Sequence, residues 1–426
     1  MADYIVNLKD SGAINANRFG AKAANQAMLG HAGLPIPKGF CLDAAAYRRQ
    51  LEFIGLLDLA GEIDGLSGEE QRQAVSKLRL GLFDSPIAPD IEQPLLIAWH
   101  ELCEASGSKT VVRSSSLSED LADSTFAGQY ETFLGLNNEA EFLTAVRACW
   151  AALWSPRALR YMESRNLDTL DMAMGLCIQE LVGGLVSGGG MSQMADGTMS
   201  LSASWGLGTA IAQGEVVPDR YVLDVDGTVI ETVVGRTVHG KNCAHHSVSS
   251  LPIDQEKTLQ PCLSKDQVGE LGQLLSRAEE YMGFAVEIEW TGNEKRQWLL
   301  QARPLQMEAQ RSSTPDPGLR KAGVRGQPSG VGWANGRACV INCECELSRV
   351  AHGDVLVTRV ASPSLSQILP RVSGVVAELG GSTSHLASLA RERRIPMVLG
   401  VLEATARIPD GADVSVDGVI GTVNWR

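Results

Sequence analysis

Apolar positions recur along this chain with two different periods, and the switches between them mark its elements. The stretches AAAYRRQLEFIGLL (44–57), PLLIAWHELCEA (94–105), EAEFLTAVRACWAALWSPRALRYMESR (139–165) and KDQVGELGQLLSRAEEYM (265–282) carry apolar residues at spacings of three and four, which predicts helices. The runs TVVR (110–113), GLCIQEL (175–181), TMSLSASWGLG (198–208) and RYVLDVDGTVIETVVG (220–235) read as strands and hairpins, with Asp226–Gly227 as a turn. AVEIEW (285–290) and RQWLLQARPL (296–305) add two more strands. The texture then changes: EAQRSSTPDPGLRKAGVRGQPSG (308–330) is polar and rich in Pro, Gly and Ser, the composition of a linker. A mixed α/β and α+β multidomain protein is expected, with a large body over 1–307, a flexible linker over 308–330 and a compact domain over 331–426.

The compact domain contains GVVAELGGSTSHLASLARERRIPMVLG. GVVAEL (374–379) reads as a buried strand, and Gly380 and Gly381 permit a tight turn. Ser382, Thr383 or Ser384 can cap the helix that follows, which buries Leu386, Leu389 and Ala390 and stops before Pro396. His385 falls in the first turn, where free backbone N–H groups and the helix dipole favour an anion and disfavour imidazolium. A neutral, nucleophilic imidazole there suits the taking and holding of a phosphoryl group. The plainer alternative is a capping or packing histidine. RERR (391–394) reads as a solvated helix face with, at most, one phosphate contact.

Composition narrows the function. A net charge of −13 over 426 residues argues against a nucleic-acid partner. No run approaches the ~18 apolar residues of a membrane span, and MADYIVNLKD lacks a secretory apolar core, so a cytoplasmic protein with no membrane partner is expected. Nine cysteines, an odd number without a disulfide-like framework, fit a reducing compartment. Cys339, Cys343 and Cys345 cluster, but no second ligand pair follows at zinc-site spacing.

Four stretches carry residue types that suit a nucleotide. In VVRSSSLSEDLADSTFAGQYETFLGL (111–136), Arg113 can clamp phosphate, Gly128 allows close backbone approach and Thr132 offers a hydroxyl. In EIEW…LLQARP, Glu289 lies on one strand, while Gln301 and Arg303 share a face of the next. A carboxylate and an amide oxygen can hold magnesium, with Arg303 on a phosphate. Lys22, in NRFGAKAANQAML, opens a helix after a glycine without the full Walker pattern. Gly206, Gly208 and Gly214 can cover phosphates. Each has an ordinary counterpart: a surface loop, a cross-strand charge pair, a helix start, turn glycines.

Together, in this order, the stretches resemble the phosphoenolpyruvate synthase and pyruvate phosphate dikinase family, which also includes rifampin phosphotransferase. FGAKAANQAMLGHAGLPIPKGF is similar to the family's opening, residues 111–136 to its ATP-site segment, and WSPRALRY, SWGLG…PDRY and IEW…LQARP to the rest of its nucleotide-binding domain. VLVTRVASPSLSQILPRVSGVVAELGGSTSHLASLARERRIPMVLGV looks like its mobile histidine domain. The resemblance implies an ATP-grasp domain followed by a small swivelling β/β/α phosphohistidine domain. It implies ATP contacts at Lys22, Arg113, Gly128, Thr132, Gln179 and Arg303, magnesium ligands at Glu289 and Gln301, and phosphorylation of His385. The implied reaction is a dikinase-type transfer from ATP to a small-molecule acceptor, with AMP and phosphate released.

Two departures stand out. SGGGMSQ (187–193) replaces the family's usual S-G-V-x-F-T, which suggests an altered loop over the nucleotide. The family's acceptor-binding domain has no counterpart before Arg426, so the acceptor site is expected either within these two domains or on a separate acceptor-domain subunit. A catalytically silent nucleotide-binding regulator is the third possibility, and the intact set of His385, Glu289, Gln301 and Arg303 speaks against it.

Overall fold

A computed structural model describes residues 4–117, 132–164, 169–206, 208–236, 260–305 and 322–426. Its chain forms two compact units, Met1–Gly183 with Trp298–Arg303, and Gly184–Gln297 with Pro304–Arg426.

The first unit is built on an antiparallel sheet of β1 (Ile5–Asn7), β2 (Gly39–Leu42), β3 (Thr110–Ser116), β4 (Thr132–Leu136) and β5 (Met174–Glu180), in the order β1-β2-β5-β3-β4. Helices Ala44–Phe53, Gly68–Asp84, Pro89–Ser106 and Glu139–Ala152 accompany it. The helical period seen over 139–165 is broken: a first helix stops at Ala152, and a second, Pro156–Ser164, starts at a proline, whose missing N–H costs nothing in a first turn. Trp150, Trp154 and Tyr47 are fully buried, and Trp154 Nε1 donates to Tyr47 Oη at 2.7 Å, so neither polar atom of that pair is left unsatisfied.

In the second unit, β6 (Val186–Met191), β7 (Met199–Trp205), β8 (Asp219–Leu223), β9 (Val229–Val233) and β10 (Val286–Gly292) form antiparallel neighbours in the order β10-β6-β7-β8-β9. The helix Lys265–Met282 spans the residues its pattern predicts. Ser264 and Gln267 cap it reciprocally, and Gly283 ends it at φ 77°. SGGGM is not a loop but all of strand β6 after its first residue. β11 (Gln297–Pro304) is shared, since its centre belongs to the first unit and its two ends to the second.

The C-terminal part of the second unit contains β12 (Ala322–Arg325), β13 (Gln327–Gly330), β14 (Trp333–Ile341), β15 (Val355–Val360), β16 (Gly374–Leu379), β17 (Met397–Leu399), β18 (Asp413–Asp417) and β19 (Thr422–Trp425). They order as β12-β19-β18-β14-β15-β16-β17-β13, with β14 to β17 parallel. Valines 340, 355, 357, 376, 398, 401, 414, 416 and 423 supply most of one buried cluster within it. The stretch expected as linker ends earlier than its composition suggests, because 322–325 and 327–330 are the two outermost strands. An edge strand tolerates Gly and Pro, which is why this one reads like a linker. Residues 308–321 lie outside the described residues. The unit boundary at Gly183/Gly184 also differs from the expected division at 307/308, because the sheet β6–β10 and the C-terminal part pack closely together.

Candidate functional site

In the first unit, Thr132 on β4, Arg113 on β3 and Cys177 on β5 stand directly opposite one another across the sheet and so share a face. Arg113 donates from Nη2 to Gln301 Oε1 at 2.9 Å and from Nη1 to the Leu300 carbonyl. Gln301 and Arg303, two residues apart on β11, are both buried. Their segment is held against the helix Ala21–His31 by Asn25 Nδ2, which donates to Ala302 O at 3.0 Å, and by Gln26 Nε2, which donates to Leu299 O at 2.8 Å.

Lys22 is the second residue of that helix. Gly20 caps it at φ 78°, and a Cβ there would sit 2.3 Å from Ser115 O, so only glycine fits. Ser115 Oγ accepts from Ala23 N at 3.0 Å and ties the first turn to the end of β3. Sequence reasoning missed Ser115, because a serine run on a strand carries no sign of a distant helix. Gln179 is buried on β5, on the face shared by Cys177, with Nε2 3.5 Å from Pro37 O. The structure thus gathers Arg113, Thr132 and Gln301, with the helix bearing Lys22 on the same unit. Cations beside a helix N-terminus are suited to a polyanion. Gly128 lies outside the described residues.

The second unit carries Glu289 and His385. Glu289 on β10 stands opposite Gly189 on β6, which stands opposite Ser202 on β7. Gly189 leaves room for Thr383: an added Cβ would lie 2.5 Å from the Thr383 Cβ. Thr383 Oγ1 is 2.7 Å from Ser202 Oγ. Gly189 therefore opens a place on β6 on which the loop before His385 rests. His385 is the first residue of the helix His385–Glu392, and Ser384 Oγ accepts from Ala387 N at 3.4 Å. The imidazole is half-buried, while Leu386, Leu389 and Ala390 are buried as their spacing predicts.

That helix is fastened to β10. Glu287 lies two residues before Glu289 and on the same face. Its Oε2 accepts from Arg391 Nη2 at 2.8 Å, and its two oxygens lie 3.1 and 3.2 Å from the Ser388 hydroxyl that donates to them. Arg391 also donates to Ser382 O at 2.5 Å and Ser329 O at 3.1 Å. Both side chains of the pair are at most 5% exposed. The reading of RERR as a solvated face is therefore wrong at its first residue: the helix turns Arg391 inward, where a buried carboxylate awaits it. Sequence reasoning also missed Glu287 and Ser388, because neither forms a motif until the two segments meet.

Glu289 belongs to the second unit and Gln301 to the first. The Gln301 oxygen, which has two lone pairs, already accepts from Arg113. Among the described residues no three His, Cys, Asp or Glu side chains form a metal-binding group, Cys339, Cys343 and Cys345 included.

The first constellation lies in the first unit, and the second, with His385, in the second. Residues 16–322 match the family model for the pyruvate phosphate dikinase AMP/ATP-binding domain, and residues 350–421 match that for the mobile domain of PEP-utilising enzymes. The chain belongs to the pyruvate phosphate dikinase and phosphoenolpyruvate synthase family. It is 28% identical to a probable phosphoenolpyruvate synthase of Methanothermobacter thermautotrophicus, over 99% of this chain and 64% of the relative. It is 30% identical to a probable phosphoenolpyruvate synthase of Archaeoglobus fulgidus and 30% identical to the phosphoenolpyruvate synthase of Aeropyrum pernix, each over 95% of this chain and 56% of the relative. The chain thus spans between 56% and 64% of the length of these relatives. Among solved structures, the D-alanine-D-alanine ligase of Coxiella burnetii aligns over 66% of this chain and 46% of that one at 11% identity, with a TM-score of 0.26, too low to inform the fold. No helix among the described residues is long and apolar enough to cross a membrane.

Proposed function

We propose that the chain is an ATP-dependent, dikinase-type phosphotransferase in which His385 carries the phosphoryl group. The observation that carries this reading is the fastening of the His385 helix, through Arg391 and Glu287, to the face of β10 that bears Glu289. A histidine meant only to cap a helix needs no buried ion pair to hold its helix against a neighbouring sheet.

In this reading the first unit binds the ATP phosphates through Lys22, Arg113 and Arg303, with Thr132 and Gln179 beside them. An imidazole nitrogen of His385 attacks the β-phosphorus, the bond to the α-phosphate oxygen breaks and AMP leaves. The terminal phosphate is then lost to water or to a second phosphate, and the phosphohistidine passes its phosphoryl to a small-molecule acceptor. The P–N bond keeps that group reactive between sites. The helix N-terminus favours both the neutral imidazole that attacks and the anion it becomes. Glu289 and Gln301 would hold Mg²⁺, which when bound offsets charge on the phosphates. The ATP-grasp fold and a swivelling phosphohistidine domain belong to the same proposal.

A second reading has the acceptor bound by a separate subunit. Incubation with ATP labelled at the β-phosphate should give AMP and an acid-labile, base-stable label on the protein. If His385→Ala labels as well as the wild type, histidine transfer is wrong. If pyruvate takes the label only when a second chain is added, the split reading stands.

A further inference from the structure

We propose that Cys41 and Cys177 form a redox-closable dithiol beneath the nucleotide elements of the first unit, and that its closure weakens nucleotide binding. The two residues stand directly opposite each other on β2 and β5. The surrounding ladder fixes the kind of pair. Glu180 N donates to Lys38 O at 2.9 Å across the same two strands, so hydrogen-bonded pairs fall at 38/180 and, alternating, at 40/178 and 42/176. On the outer sides, Asp43 N donates to Tyr4 O and Leu181 N to Lys109 O, so Cys41 turns its backbone groups toward β1 and Cys177 turns its own toward β3. Cys41 and Cys177 are therefore a non-hydrogen-bonded antiparallel pair. In such pairs the Cα atoms are ~4.5 Å apart, within the ~4.4–6.8 Å that a disulfide spans.

The two thiols are not equivalent. The neighbouring Cys41 thiol, with the Arg113 guanidinium, lowers the pKa of Cys177 although burial opposes it, whereas Cys41 is raised. Their facing positions place either thiol where it can resolve oxidation of the other. The Cys177 thiolate attacks a peroxide oxygen, the O–O bond breaks and a sulfenic acid forms as water leaves. The Cys41 sulfur then attacks the Cys177 sulfur, the S–S bond forms and a second water leaves. Two thiols lose two electrons and two protons, and peroxide is reduced to two waters.

Closure reaches the nucleotide elements by packing. Both cysteines share an apolar cluster with Phe19, Ala23 and Ala27, the last two on the helix that bears Lys22, and Cys177 pairs directly with Arg113. Drawing the two sulfurs together to ~2.05 Å empties space under that helix and shifts the strand beside Arg113. Burial of both thiols means that oxidation requires this helix to lift, so bound nucleotide slows it.

The effect on nucleotide rests on the ATP reading above, and the test separates the two. The full chain is treated with hydrogen peroxide, alkylated and digested without reduction. The expected result is a Cys41–Cys177 cross-link two hydrogens lighter than the thiols, reversed by dithiothreitol, formed more slowly with ATP present, together with an at least tenfold weaker ATP affinity. Cys41→Ala and Cys177→Ala should each keep the affinity and lose its peroxide sensitivity. Two results overturn the proposal: both cysteines are still alkylated when denaturant is added after peroxide treatment, or the cross-link forms with ATP affinity unchanged. If the reduced wild type binds no ATP, the nucleotide reading fails, and the cross-link map still decides whether the dithiol exists.

Discussion

Arg391 Nη2 lies 2.8 Å from Glu287 Oε2, and almost none of either side chain reaches solvent. Such a pair offsets the desolvation of its charges only while both partners remain in place. Glu287→Gln and Arg391→Met should each destabilise the second unit by about 3–5 kcal/mol, because each leaves a buried partner uncompensated. The double variant should cost less than the sum. Urea unfolding read at equilibrium checks this, and strictly additive losses would mean that the two side chains do not act as a pair.

The surface under the histidine loop is equally specific. Gly189→Ala would set its Cβ against Thr383 and should loosen the docking of the His385 helix, at a cost of about 1–3 kcal/mol in overpacking. Thr383→Gly added to it should restore stability, since the clash is with that side chain. Hydrogen exchange along 382–392 provides the readout. If protection there is unchanged in Gly189→Ala, the loop does not rest on β6.

The match between sequence and structure follows the range of the interactions involved. The strand 374–379, the helix start at His385 and the helix 265–282 were legible because period, glycine turn and capping box are all local signals. SGGGM was misread as a loop because glycine in a strand makes sense only once Thr383 is seen above it. Arg391 was misread as solvated because the carboxylate that draws it inward is 104 residues away in sequence. Residues 322–330 look like linker for the reason that edge strands can: they give up one side of the ladder and so accept Gly and Pro. Of the candidate site, residue types were readable, whereas the pairing of Arg113 with Gln301 depends on tertiary register.

That pairing has its own consequence. Arg113 spans the Leu300 carbonyl and the Gln301 amide oxygen with two separate nitrogens, a forked geometry that lysine cannot reproduce. Arg113→Lys should therefore weaken ATP binding at least tenfold despite keeping the charge, as measured by calorimetry. Binding at wild-type strength would leave Arg113 a structural residue only.

Acid should act on the C-terminal part through Asp354. Burial raises its pKa, but two donors from Arg337, at 3.1 and 2.8 Å, and the Ala351 N–H outweigh it, so the carboxyl is held below the usual range. A depressed folded-state pKa contributes stability above the unfolded value of ~3.9, and that stability is lost as pH falls through the folded value. Between pH 7 and pH 3 the melting temperature of wild type should fall further than that of Asp354→Asn. Parallel curves would show that the pair does not couple stability to protons.

The docked pose also predicts what must move. If His385 is charged while its helix is fastened to β10, an acceptor bound elsewhere can be reached only after Arg391 and Glu287 part. Ser202 Oγ and Thr383 Oγ1 are 2.7 Å apart, close enough for a cross-link between cysteines at these positions to hold the pose. In a Cys41→Ala background, Ser202→Cys with Thr383→Cys should, once oxidised, still release AMP and carry label on His385, yet fail to pass the phosphoryl onward. Dithiothreitol should restore transfer, because it breaks the only engineered restraint. Full turnover by the oxidised protein would mean that the helix never leaves the sheet, and the acceptor would then have to bind beside β6 and β10 with the histidine in place.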